Sequence, residues 1–154
     1  MKNQINLFNS NLAEINVTYR NKQKYSDMWK ITCSNDALEM FRSIWSDQME
    51  YREEFAILCL NRANKVLGYS FISSGGMAGT VVDAKVVFQI ALMSNTSSLI
   101  LCHNHPSGNI QPSIPDIELT KKLIKAGKLL DLPILDHIII TAESHYSLAD
   151  EGDI

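Results

Sequence analysis

Three short segments are almost continuously apolar: residues 54–60 (EFAILCL), 98–102 (SLILC) and 134–141 (ILDHIIIT). A half-exposed strand would alternate, and a helix would need ten or more residues with a 3.6 period. Runs this short and this apolar therefore read as strands covered on both faces. All fall far below the roughly 18 apolar residues of a membrane-spanning helix. Between them the period changes. Asn61–Lys65 reads as a hairpin loop and 66–73 as the returning strand. Gly75, Gly76 and Gly79 make a flexible loop. Thr80 and Asp83 are spaced for a capping box that opens a helix through Ser94, with Val86, Val87, Ile90 and Ala91 as its buried stripe. A second helix is expected from about Pro115 to Leu130, closed off by Pro133, and Tyr146–Leu148 reads as a last strand. The expected fold class is α/β of the mixed (α+β) kind, a central mixed β-sheet flanked by helices.

Ahead of this core, Ile15, Val17 and Tyr19 alternate with Asn16, Thr18 and Arg20, and Trp29, Ile31 and Cys33 alternate with Lys30 and Thr32. Both patterns predict half-buried strands, joined by a turn over Asn21–Lys24. Ser34 or Asn35 is placed to cap a helix whose apolar face is Leu38, Phe41 and Trp45. Residues 1–50 are thus expected to form an N-terminal hairpin–helix extension packed on a core of residues 51–154. With 154 residues, 45% apolar and 20% charged, the chain suits one folded domain and not a disordered one. A net charge of −3 without a basic stripe argues against nucleic acid as a main partner.

The three cysteines, Cys33, Cys59 and Cys102, contain no C-x-x-C pair, which excludes a disulfide framework and a thiolate metal site. Cys59 and Cys102 sit inside apolar runs and read as small buried hydrophobes. Reduced thiols, and no basic–apolar leader at the start, lead to an expected cytoplasmic location with no membrane partner.

The chemistry concentrates at His103-Asn104-His105-Pro106-Ser107-Gly108, followed by Pro112-Ser113 and Asp116. Histidines at i and i+2 on an extended backbone point the same way, so one metal ion can touch both imidazoles at about 2.0–2.1 Å. Asp116 falls in the first turn of the following helix, with Leu119 and Leu123 at i+3 and i+7, so it faces inward. An inward carboxylate needs a partner. A metal is one such partner; an S-x-x-D capping box between Ser113 and Asp116 is the other. Two histidines and one carboxylate leave a fourth position open, as in catalytic zinc sites. Cys102 should point to the opposite face of the strand. Gly108 should supply a positive φ. Asn104 and Ser107 are read as shaping the loop, and His145 as a surface residue. A nucleobase deaminase would need H-x-E and P-C-x-x-C, which are missing.

The pattern H-x-H-P, then P-S-x-x-D, with ten residues between the second His and the Asp, resembles the JAMM motif of the JAB/MPN metalloprotease superfamily. The string HNHPSGN…PS…D resembles the RadC-type bacterial branch, as do REEFAILCLNRANKVLG (52–68) and DHIII (136–140). The resemblance covers roughly residues 51–154. It implies a JAB/MPN-like (cytidine deaminase-like) fold and one Zn2+ per chain held by His103, His105 and Asp116. It implies a general acid/base at Glu53 and an oxyanion donor at Ser113. Strand parity does not choose between Glu53 and Glu54, because Phe55 and Ile57 on one side and Ala56 and Leu58 on the other are all apolar. The family spacing, with Glu two residues before the aromatic, selects Glu53. Asp136 and His137 match the family's DH pair and are read as a hydrogen-bonding pair behind the site, not as ligands.

The expected function is hydrolysis of a peptide or isopeptide bond through a metal-activated water, on a peptide or protein substrate. The alternative is a non-catalytic RadC-like accessory module in DNA repair or mobile-element DNA transactions. The helix-hairpin-helix module of full-length RadC proteins is not in this chain, which argues against direct DNA binding, and every metal ligand is retained, which argues against a pure scaffold.

Overall fold

A computed structural model describes residues 15–75 and 81–154. The chain runs α1 (Ser34–Ile44), β1 (Glu54–Leu60), β2 (Val66–Ser74), α2 (Ala84–Met93), β3 (Ser98–Asn104), α3 (Ile114–Leu129), β4 (Ile134–Ile140) and β5 (His145–Ser147). The strands form one five-stranded mixed sheet in the order β2-β1-β3-β4-β5. Only β3 and β4 are parallel; β1 pairs antiparallel with both β2 and β3, and β5 pairs antiparallel with β4. The expected mixed α/β architecture of the JAB/MPN kind is present.

The continuous apolar runs have the predicted cause. β1 and β3 are buried along their whole length because both faces of the sheet are covered. On one face Ala56, Leu58, Ile100, Cys102, Ile138 and Ile140 pack under α1, which contributes Ala37, Leu38 and Phe41. On the other, Phe55, Ile57, Leu99 and Leu101 pack under Val87, Phe88 and Ala91 of α2 and Leu123 of α3. The β1–β2 hairpin closes through Asn61, whose Oδ1 accepts from the Ala63 and Lys65 N–H groups, with Asn64 at φ 56°.

Parallel strands need a crossover, and α3 supplies it between β3 and β4. The C-terminal end of β3 and the first turn of α3 therefore meet at one edge of the molecule, where ligand sites gather in sheets of this kind.

Several expectations are corrected. Residues 15–20 form no strand, and Ile15 and Val17 are exposed; alternation without a neighbouring edge to pair with does not make a strand. The second predicted strand shrinks to a single antiparallel bridge, Lys30 to Lys65, so the N-terminal hairpin does not form. A short 3-10 turn over Tyr25–Asp27 follows the predicted turn at Asn21–Lys24. The N-cap of α1 is Cys33, not Ser34 or Asn35, because the Asp36 carboxylate accepts from the main chain of Thr32 and Cys33. In α2, Val86 faces solvent and Phe88 takes its place in the core. Asp83 is the N-cap of α2 and accepts from the Lys85 N–H. Its expected partner Thr80, with Gly76 and Gly79, lies outside the described residues. Among the described residues no helix is long and apolar enough to cross a membrane.

The end of α3 shows how tightly the crossover is folded. The Gly127 carbonyl accepts from both Leu130 and Leu132 N–H groups, and a Cβ at Gly127 would sit 2.3 Å from the Leu132 carbonyl oxygen. Gly127→Ala must displace main chain there. It should lower the free energy of unfolding by about 1–3 kcal/mol, as an overpacked core does, with a reduced midpoint in denaturant titration.

Candidate metal centre

His103 is the last residue but one of β3 and is buried. His105 follows the strand, yet its N–H donates to the Ile140 carbonyl at 3.0 Å, so the backbone stays extended along β4 and both imidazoles project to the α2/α3 side. A turn over Pro106-Ser107-Gly108, with Gly108 at φ 79° and its N–H bonded to the His105 carbonyl, brings the chain back over the second histidine, as the positive-φ expectation required. Ser107 is exposed on that turn, and its Oγ accepts from the Asn109 N–H at 3.4 Å.

Hydrogen-bond counting settles which ring nitrogens are bare when the imidazoles are neutral. Thr120 Oγ1 lies 2.6 Å from the Asp116 carbonyl oxygen, which can only accept, so the hydroxyl proton goes there. The same Oγ1 lies 2.6 Å from His137 Nδ1 and must accept from it. Neutral His137 then offers a bare Nε2, 2.8 Å from His103 Nδ1, which donates. That leaves His103 Nε2 with a lone pair. His105 Nδ1 lies 2.6 Å from the Asn109 carbonyl oxygen and donates to it, so His105 Nε2 is bare as well.

These two lone pairs face each other at 2.9 Å. Asp116 completes the set, with Oδ1 3.2 Å from His103 Nε2 and Oδ2 3.5 Å from His105 Nε2. Ligands around a tetrahedral ion at 2.0–2.1 Å sit about 3.3 Å apart, so the spacing is that of a coordination edge. Among the described residues, His103, His105 and Asp116 are the group that could hold a metal ion. Two imidazoles and a carboxylate suit a borderline divalent cation with a further position open to the cleft.

Asp116 also forms the capping box. Its Oδ2 accepts from Ser113 N–H at 2.7 Å and Ser113 Oγ at 2.6 Å, while its own N–H donates to Ser113 Oγ. The capping box is thus formed, through Oδ2, while both carboxylate oxygens still face the imidazoles, so the cap does not rule out a metal. Burial works against the Asp116 charge, but a proton on either Nε2 turns that imidazole into a donor, and hydrogen bonds from His103 and His105 in that form hold the carboxyl far below the usual carboxylate range. His105 is raised above the ordinary imidazole value, first by its hydrogen bond to Asp116. Burial, and then the neighbouring His103 charge, push His137 well below it, so His137 stays neutral.

The cleft beside these three candidate ligands has a volume of about 1050 Å³ and is bordered by Glu53 and Ser113. Glu53 is half-buried, and its charge acts on His105. Glu54 points to the α1 face, where its carboxylate accepts from Ser46 Oγ at 2.5 Å and Ser74 Oγ at 3.4 Å. Cys102 is buried on that same face, away from the ligands, as expected. Asp136 also lies there and accepts from Ser147 Oγ, so its link to His137 is through the His137 main-chain N–H alone. His145 is exposed at the start of β5.

The sequence reading missed Thr120 and the full role of Asn104, which is buried and bonded to the segment before β1 and not to its own loop. Thr120 was detectable as a polar residue within the Asp116–Leu119–Leu123 stripe of α3.

A proton on His105 Nε2, which the hydrogen bond to Asp116 favours, competes with a metal for the same lone pair. Affinity for Zn2+ or Co2+ should therefore climb as pH rises through neutrality and level off once His105 is neutral. Isothermal titration in two buffers of different ionisation enthalpy should register the released proton, and His105→Ala should abolish the release. Thr120→Val removes the acceptor that fixes the His137 tautomer, and should weaken binding about 10–100-fold in chelator competition.

Comparison with known proteins agrees with this geometry. Residues 31–153 match the family model described as RadC-like JAB domain, a match that includes α1 as well as the sheet. A UPF0758 protein of Flavobacterium johnsoniae is 48% identical over 123 residues, covering 80% of this chain and 53% of the relative. A UPF0758 protein of Salinibacter ruber is 35% identical over 133 residues (86% and 56%), and one of Methanosarcina barkeri 44% identical over 101 residues (66% and 44%). The chain spans about half the length of these curated relatives. With the sheet order, the ligand geometry and the family match in agreement, the chain belongs to the RadC-like JAB domain family.

Proposed function

We propose that this chain is a zinc-dependent metallohydrolase of the JAMM type that cleaves a peptide or isopeptide bond, with residues 51–154 as its catalytic core and 1–50 as an extension. The observation that carries this reading is the pair of bare Nε2 atoms facing each other at 2.9 Å beside a carboxylate. Nothing but a cation, or a proton standing in for one, stabilises three electron-rich atoms so placed. The reduced thiols suit a cytoplasmic setting.

Zinc, when bound, lowers the pKa of a water from 15.7 toward about 7 and polarises a carbonyl. His103, His105 and Asp116 would hold it. Glu53, at the cleft wall just before β1, would take the proton of the attacking water and return it to the leaving amine as the C–N bond breaks. Ser113 would donate its hydroxyl to the developing oxyanion. Its hydroxyl can leave Asp116 without undoing the cap, because Oδ2 keeps the Ser113 N–H. A donor so placed contributes on the order of 10²–10³ in rate. Val81, Val82 and Leu119 give the cleft an apolar lining.

Purified protein should take up about one zinc per chain, and His103→Ala or Asp116→Ala should abolish the uptake. Glu53→Gln should keep zinc but lose roughly 10²–10⁴ in hydrolysis of a peptide library scored by mass spectrometry, while Glu54→Gln should cleave like the unaltered protein. Loss in Glu54→Gln with retention in Glu53→Gln would reverse the assignment. Absence of zinc uptake would end the hydrolase reading.

A further inference from the structure

We infer that Asn104, the residue between the two histidines, is a positioning residue that sets the direction of Glu53. The inference rests on the hydrolase reading and adds a part to it. Side chains alternate along β3, so Asn104 points to the α1 side, the face of Ile100 and Cys102. A polar amide fully buried there needs partners for both its ends, and it has them. Nδ2 donates to the Met49 carbonyl at 2.6 Å and to the Arg52 carbonyl at 2.9 Å, and Oδ1 accepts from the Glu54 N–H at 2.7 Å.

The last two partners bracket Glu53. The Arg52 carbonyl belongs to the peptide plane before its Cα and the Glu54 N–H to the plane after it. One side chain therefore grips both planes whose rotation defines φ and ψ of Glu53. The Glu53 carbonyl is held from elsewhere, by the Gly75 N–H at 2.8 Å. The β1–β3 main-chain pairing ends at Phe55 and His103, one residue short of this point. The Asn104 side chain thus takes over where the main-chain ladder stops, and extends the strand geometry far enough to send Glu53 to the cleft face and Glu54 to the other. The carboxylate and the metal ligands are tied to one strand end, with odd residues serving the ligand set and the even residue serving Glu53.

The test uses the full chain with Co2+ as probe. Co2+ absorption bands are followed against pH in the unaltered protein, Glu53→Gln, Asn104→Ala and the double variant, and Zn2+ affinity is measured by chelator competition. Glu53→Gln should move the pH midpoint of the bands by about one unit. Asn104→Ala should move it in the same direction, the double variant no further than Glu53→Gln alone, and Zn2+ affinity should stay within about threefold throughout. A merely structural role for Asn104 would not converge with Glu53 in this way. Asn104→Ser, which keeps a hydroxyl for one of the three bonds, carries the same expectation and serves if the alanine variant does not fold. A midpoint unmoved in both Asn104 variants while Glu53→Gln shifts it overturns the inference alone. So does a tenfold loss of Zn2+ affinity in Asn104→Ala, which would tie Asn104 to the ligands. A midpoint unmoved by Glu53→Gln, or no Co2+ binding at all, overturns the hydrolase reading itself and this inference with it.

Discussion

The two-residue alternation of side chains along β3 is the constraint on which the rest of the centre depends. Extended backbone through His105, held by the Ile140 carbonyl, sends residues 103 and 105 to one face and 102 and 104 to the other. One strand end therefore supplies two metal-ligand candidates to a cleft and, through Asn104, an anchor to the segment before β1. Were the strand to bulge at His103, the imidazoles would part and the anchor would swing out of the core together. The parallel crossover then brings the first turn of α3 to that same end, which is why a carboxylate eleven residues beyond His105 in sequence can lie 3.5 Å from it in space.

Asp116 shows how a helix start can do two things at once. A capping carboxylate is favoured in the first turn because it meets unpaired N–H groups and the positive end of the helix dipole. Here the cap uses Oδ2 and the Ser113 main chain, and both oxygens remain within reach of the imidazoles. The cap restricts the carboxylate before any ion arrives, so little side-chain freedom is left to lose on binding. On the histidine side, the Thr120–His137–His103 chain does the same for ring orientation and proton placement.

The covered strands, the crossover helix and the gathering of His103, His105 and Asp116 were legible because each writes a local pattern: short apolar runs, a 3.6-residue stripe, and an H-x-H followed by S-x-x-D. What local pattern cannot carry is pairing. Ile15, Val17 and Tyr19 alternate as a strand should, but a strand exists only against another edge, and the one bridge formed ahead of α1 among the described residues is Lys30 to Lys65, just before β2. Glu53 and Glu54 were inseparable by parity because β1 is buried on both faces, which erases the alternation that distinguishes them. The choice is made by contacts 50 residues away in sequence, from Asn104 to the peptide after Glu53. Phe88 replaces Val86 in the core because the stripe of α2 is turned slightly from the one expected and keeps Val87 and Ala91. His137 was legible through its match to the family's DH pair, and Thr120 only as a polar residue in the α3 stripe, since the bond that joins them spans two elements.

The placement of Cys102 has a consequence for redox chemistry. It is next to His103 in the chain, yet it lies on the opposite face, sealed under α1, with burial pushing its thiol well above the ordinary cysteine range. The thiolate is the form that oxidants attack, and this one does not form. The ligand candidates themselves contain no sulfur. A metal held by His103, His105 and Asp116 is thus insulated from the peroxides and disulfides that strip thiolate sites, and what would release it is acid or a competing chelator.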